Sequence, residues 1–160
     1  MTTEKSKHDL VLTRIFDTPR ALVWKAWTDP KQIAQWWGPH GFTNPLCVWD
    51  ARPGGCILVH MRGPAGSQFD FVMPMKGRFH EVVAPERLVF TSTALEDAAG
   101  NAQLETHNTI TFTEHNGKTT LTLHAKVVKA MPAAAGAIAG MEQGWSQSLE
   151  KLSAFLQELV

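Results

Sequence analysis

Cysteine, charge of one sign and long apolar runs are all scarce in this 160-residue chain. Basic and acidic side chains number 15 each, leaving a formal net charge of zero. That argues against a general nucleic-acid binder, which needs a basic face to displace counterions. No run approaches the roughly 18 apolar residues of a membrane span, so no span is expected. Only two cysteines occur, Cys47 and Cys56, without the repeated close spacing of a zinc site. A tight hairpin about the intervening RPGG would set Cys47 opposite His60 rather than Cys56. Two reduced thiols are therefore expected, as in a cytosolic protein. The seven histidines form neither HxH nor HExxH, and nucleophile elbow and phosphate-binding glycine loop are both missing. No metal and no cofactor are expected. The opening MTTEKSKHDL is polar and lacks a signal peptide's apolar stretch, which makes the cytoplasm the expected location.

What is present is an ordinary globular composition, 44% hydrophobic and 19% charged, of a length that one domain spanning residues 1–160 would account for. LVLTRIF, Leu10 to Phe16, is short and rich in branched residues and reads as a strand. Pro19 suits the first turn of a helix, with Asp17 or Thr18 as its cap. Leu22, Val23, Ala26 and Trp27 then recur at helical spacing. Asp29-Pro30 begins a second short helix that Gly38-Pro39 stops. From Thr43 to Lys129, turns at RPGG, GPAGS, APE, EDAAGN and HNG cut the chain into six strands of an antiparallel meander.

The turns also predict register. Asn116-Gly117, a strong two-residue hairpin signal, places Phe112 opposite Leu121, Ile110 opposite Leu123 and Asn108 opposite Ala125. Folding about GPAGS pairs Met61 with Phe69, Val59 with Phe71 and Ile57 with Met73. Folding about EDAAGN pairs Phe90 with Ile110 and Ser92 with Asn108. All these turns agree on one apolar and one largely polar face, a sheet wet on one side. Ile138, Met141, Trp145, Leu149, Leu152, Leu156 and Leu159 form the apolar stripe of a long C-terminal helix that covers the other side. Gly136, Gly140 and Gly144 thin its first half, where it can stand off from the sheet.

WTDPKQIAQWWGPHGF, Trp27 to Phe42, concentrates three of the six tryptophans beside a Gly-Pro-His-Gly turn. Two short helices here would plug one end of a curved sheet, bringing Trp36, Trp37 and Phe42 near Met141 and Trp145. Flexible methionines and a few polar groups on an apolar wall match a small-molecule site. Trp37, Met61, Phe69, Phe71, Met73, Ser92, Asn108, Ile110, Met141 and Trp145 are its expected lining. Glu81, or His80 if the APE turn shifts by one residue, would point inward as a titratable group, and His40 is the titratable group of the turn.

TRIFDTPRALVWKAWTDPKQIAQWWGPHGFT, RPGG, GRFHEVVAPERLVFT and GMEQGWSQSLEKLSAFL, taken in order, resemble the SRPBCC superfamily. These are START-like, helix-grip proteins related to the birch pollen allergen. The chain is most similar to the bacterial branch named after the activator of the heat-shock-protein-ninety ATPase, over about Leu10 to Leu159. The resemblance implies an α+β fold: a curved antiparallel seven-stranded sheet wrapped on a long C-terminal helix, two short helices between strands 1 and 2, and a cavity between sheet and helix. It carries over no catalytic motif.

Three functions compete. The first is binding of a small hydrophobic molecule, aromatic or lipid-like, in that cavity. The second is a cyclase- or hydrolase-like enzyme using Glu81 or His40 as acid or base. The third is an interaction or co-chaperone-like module, which would need an exposed apolar patch; the threonine-rich outer face offers none in the pattern. A homodimer through a strand edge or the tryptophan-rich region is a further expectation.

Overall fold

The computed structural model describes residues 9–159, so most of the polar N-terminal stretch lies outside the described residues. Seven antiparallel strands form one sheet in the order β1-β7-β6-β5-β4-β3-β2. They are β1 Leu10–Phe16, β2 Thr43–Trp49, β3 Cys56–Arg62, β4 Val72–Val83, β5 Arg87–Glu96, β6 Ala102–His115 and β7 Lys118–Ala130. Helices α1 Arg20–Thr28 and α2 Pro30–Trp36 fall between β1 and β2. After β7 come a 3-10 turn at Pro132–Ala134, the short α3 Ala135–Ala139 and α4 Met141–Glu158. The expected α+β architecture is observed. The long helix, however, is interrupted: Gly140 leaves helical geometry and separates α3 from α4. Among the described residues no helix is long and apolar enough to cross a membrane.

Local chemistry explains most of these boundaries. Asp29 caps α2, accepting from Lys31 N at 2.9 Å. At α1 the expected cap does not form. Pro19 itself holds the cap position without a side-chain bond, and the backbone carbonyl of Thr18 accepts from Thr119 Oγ1 at 2.7 Å instead. Asn116 and Gly117 take φ of 54° and 78°, the paired left-handed geometry of a two-residue hairpin. The resulting pairs Phe112–Leu121, Ile110–Leu123 and Asn108–Ala125 are those the turn predicts.

The other hairpins differ in register, each for a visible reason. Cys47 lies opposite Val59, and Leu46 takes the place opposite His60, because the Asp50–Gly55 loop closes on Asp50 N to Cys56 O. Both thiols are free, and burial pushes the Cys47 thiol up to about 11. Met61 pairs with Met73, Val59 with Met75 and Ile57 with Gly77. Between β3 and β4 a wide loop carries Phe69 and Phe71 out of the ladder. Arg62 with Asp70 at 2.8 Å, and Gly63 N to Phe69 O, hold that loop shut. Phe90 pairs with Asn108, Leu88 with Ile110 and Ser92 with Thr106. Asp97 Oδ1 accepts from the N–H groups of Ala99 and Asn101, reversing the chain earlier than the run EDAAGN suggests. The slips at these last two turns are even, so the same residues still face inward. Face survives a slip of two or four where partner identity does not.

A bulge between Phe79 and Glu81 has a larger consequence. The ladder gains a residue, so His80 and Glu81 both face outward and Val82 resumes the inner face. Neither titratable side chain reaches the interior: Glu81 pairs with Arg87 at 3.1 Å, and His80 lies against Thr91 and His107.

On that outer face burial lowers the pKa of His107, helped by the positive charges of His80, Lys126 and His124. A histidine that resists protonation when folded contributes fully above its ordinary value of 6.5. That contribution falls away as pH drops from 6.5 through the lower folded value. Urea midpoints should therefore decline below pH 6.5, and His107→Gln should flatten that decline.

Candidate functional site

The core is continuous from Leu88, Phe90, Ile110 and Phe112 of the sheet to Leu149, Leu152 and Leu156 of α4, all buried. Toward the start of α4 it opens. Gly144 supplies no side chain, and Met141 and Trp145 are only partly buried. A cleft of about 230 Å³ lies beneath them. Met61, Met75, Ser92, Ala94, Leu104 and Thr106 line it from the sheet. Met141, Gly144, Trp145 and Ser148 line it from α4, and Trp37, Gly38 and Pro39 from the turn after α2. A second lobe of about 480 Å³ shares Trp37, Met61, Met75 and Leu104 with the first and runs out past Phe71 and Met73 toward Ala137.

The tryptophans wall the closed end. Trp145 meets Trp37 edge-on with centroids 5.1 Å apart and stacks on Trp27 at 6.2 Å. Behind them Trp27, Trp36 and Trp49 are buried and belong to the core. Indole is used as a rigid partition: one face supports the core and Trp37 and Trp145 face the cleft.

The Trp37–Phe42 turn is latched onto α4. Gly38 N donates to Ser148 Oγ at 3.0 Å and His40 N to Gln147 Oε1 at 3.0 Å. Lys151 Nζ reaches the carbonyls of Trp37, Pro39 and Phe42 at 3.4, 3.3 and 3.2 Å, and burial lowers its pKa. Gly38 has φ of +99°, and a Cβ there would sit 2.8 Å from Met61 Sδ. Glycine is needed both for the turn and for the cleft's wall. Replacing Lys151 by Met should loosen this latch at a cost of about 1.5–3 kcal/mol, the range of hydrogen bonds to a charged group, read as a lower urea midpoint.

Trp37, Met61, Ser92, Met141 and Trp145 meet in the inner lobe, and Phe71 and Met73 line the outer one. Asn108 is buried just behind the wall, donating to Ser92 Oγ at 3.1 Å, and Ile110 belongs to the packed core. Phe69 lies outside, partly exposed against Phe42. His40 faces solvent, 3.0 Å from Glu150, and Glu81 lies on the outer sheet face. Gly144 was expected as part of the thin half of the helix; Thr106, Ser148 and Lys151 were not foreseen. Strand alternation puts Thr106 beside Asn108, and helical spacing puts Ser148 beside Met141, so a signal was present for two of the three. Among the described residues no cluster of side chains is arranged to hold a metal ion.

Comparison with solved structures places this architecture among bacterial proteins. A protein of Chromobacterium violaceum is 27% identical and superposes with a TM-score of 0.79 over 94% of this chain and 98% of its own. A Mycobacterium smegmatis protein is 25% identical at 0.77, over 97% and 94%. One of Silicibacter pomeroyi, 24% identical at 0.77 over 95% and 99%, shares the fold. No curated protein matches the chain. A family description, Activator of Hsp90 ATPase homolog 1-like protein, fits residues 17–157, from just before α1 into the last turn of α4. That is most of the chain, and by that match the chain belongs to this family.

Proposed function

We propose that this protein holds a small hydrophobic molecule, aromatic or lipid-like, between the sheet and the start of α4. The observation that carries this reading is the parting of the two layers there. Apolar walls line an open cleft of about 230 Å³ just where the helix carries glycine instead of leucine. Cavities of about 150 Å³ accept benzene, so the inner lobe has room for a substituted ring system. Methionines at 61, 73, 75 and 141 give the walls the freedom to repack around different guests.

The geometry favours binding over acid–base catalysis. Among the described residues no titratable side chain lines the inner lobe, and the two candidates, Glu81 and His40, are outside it. The outer lobe holds Lys76 and Glu96, which satisfy each other at 2.8 Å. An interaction role has a narrower basis: Val11 and Ile15 stand 57% and 69% exposed on β1, an edge strand. A strand-edge homodimer would use that edge. The free thiols support a reducing compartment, hence the cytoplasm.

Native mass spectrometry of protein purified from its own host tests the reading, together with tryptophan fluorescence on adding apolar aromatic probes. The expected result is a co-purified small molecule, or a saturable change in emission from Trp37 and Trp145. Bare chain mass combined with unchanged emission across the probes would overturn it.

A further inference from the structure

We infer that the inner lobe selects neutral ring compounds that carry a hydrogen-bond acceptor oxygen, such as a ketone, ester or amide carbonyl. The inference rests on the cleft being a binding site and names what it prefers.

The argument is a count of protons. Asn108 is 1% exposed, and its amide nitrogen has two hydrogens. It donates to Phe90 O at 3.4 Å and to Ser92 Oγ at 3.1 Å. The carbonyl of Phe90 accepts only, which fixes which end of the amide faces the hydroxyl. Ser92 Oγ and Thr106 Oγ1 are 2.7 Å apart, and one hydroxyl proton is used in that contact. Two hydroxyls carry two protons, so one is left over. If Ser92 donates to Thr106, the spare proton is on Thr106; if Thr106 donates, it is on Ser92. Neither hydroxyl has another acceptor among the described residues, and both line the inner lobe. Whichever way the relay points, it presents one unused O–H to the guest.

The opposite wall adds to this. Ser148 is 5% exposed and its oxygen accepts from Gly38 N, yet its own proton has no acceptor among the described residues. Both walls therefore offer an unused O–H to the cleft. A buried donor left unpaired costs free energy that a guest's acceptor oxygen recovers. Charge is disfavoured for the complementary reason: no ionisable side chain among the described residues lines this lobe, and an unpaired ion taken from water is costly.

Three probes on one bicyclic skeleton separate these effects: 1-tetralone, tetralin and 1-aminotetralin, titrated against the full-length protein by tryptophan fluorescence. Tetralone should bind at least tenfold more tightly than tetralin, with 1-aminotetralin weakest at pH 7. The double variant Ser92→Ala/Thr106→Val should bind tetralone and tetralin alike. Its retained affinity for tetralin shows that the cleft is still folded. Removing one hydroxyl alone moves the spare proton without eliminating it, so Thr106→Val should keep much of the preference. Equal affinity of the native protein for tetralone and tetralin would overturn the selectivity while leaving the cleft a binding site. So would a double variant that binds tetralin and still prefers tetralone. Failure of all three probes to bind the native protein would count against the cleft itself.

Discussion

Trp27→Ala should lower the stability of this protein by about 3–5 kcal/mol, the range for emptying a buried aromatic site. Trp27 is fully buried, and its ring centroid lies 4.8 Å from that of Trp36 and 6.2 Å from those of Trp37, Trp145 and Phe112. Four aromatic rings from α2, the following turn, α4 and β6 thus lean on one side chain. No neighbour can fill the space without giving up its own contacts, so relaxation recovers little. Against a total stability of about 5–15 kcal/mol, the loss is a large fraction of the whole. Trp27→Phe should cost less than half as much. The indole Nε1 is buried without a hydrogen-bond partner among the described residues, and phenylalanine keeps the ring while dispensing with that orphan donor. Urea unfolding at constant slope measures both. A loss for Trp27→Phe above half that of Trp27→Ala would mean that the missing ring volume outweighs any relief from removing the orphan donor. The alanine variant should also bind guests poorly, because Trp37 and Trp145 lose the support that holds them as a wall.

The fold was legible in the sequence because its signals are local. A turn such as Asn116-Gly117 fixes a hairpin by backbone geometry alone, and alternation then assigns faces over two strands. Partner identity was legible only where the turn is that short. Around Gly63–Asp70 and Asp97–Asn101, side chains of Asp70 and Asp97 reorganise the loop, and no count of intervening residues reveals where pairing resumes. Glu81 shows the limit most clearly. Alternation from Phe79 points it inward, but a one-residue bulge reverses it, and a bulge has no reliable sequence mark here. The cleft was foreseen as a thin stretch of helix over methionines, and Trp37, Met61, Met141 and Trp145 line the space there. The latch by Lys151 was not, because a lysine on a helix ordinarily reads as a solvated charge. Its partners are three main-chain carbonyls over a hundred residues away, and carbonyls leave no trace in residue identity.

Filling the cleft should make the protein more stable and abolish the guest binding proposed for it, and Gly144→Leu does this most directly. Glycine inside a helix costs about 1 kcal/mol relative to alanine, and Gly144 lies within α4 with ordinary helical neighbours. A Cβ added there meets only Pro39 Cγ, at 3.8 Å, which is normal contact distance. Gly144→Ala should therefore raise stability by up to about 1 kcal/mol and leave guest affinity nearly intact. Leucine would send its remaining atoms into the inner lobe, against Met75, Leu104 and Trp145, burying apolar surface worth about 1.5–3 kcal/mol. Affinity for any guest should then fall at least tenfold, while the urea midpoint rises. The sign of the stability change decides between two pictures of this region. Were the space under Trp145 a well-packed core, the same leucine would be overpacked and would cost about 1–3 kcal/mol. A helix that gives up both propensity and burial at one position, opposite a wall of methionines, has traded stability for room. A higher midpoint with lost binding would demonstrate that trade, and a lower midpoint would show that the layers are already in contact.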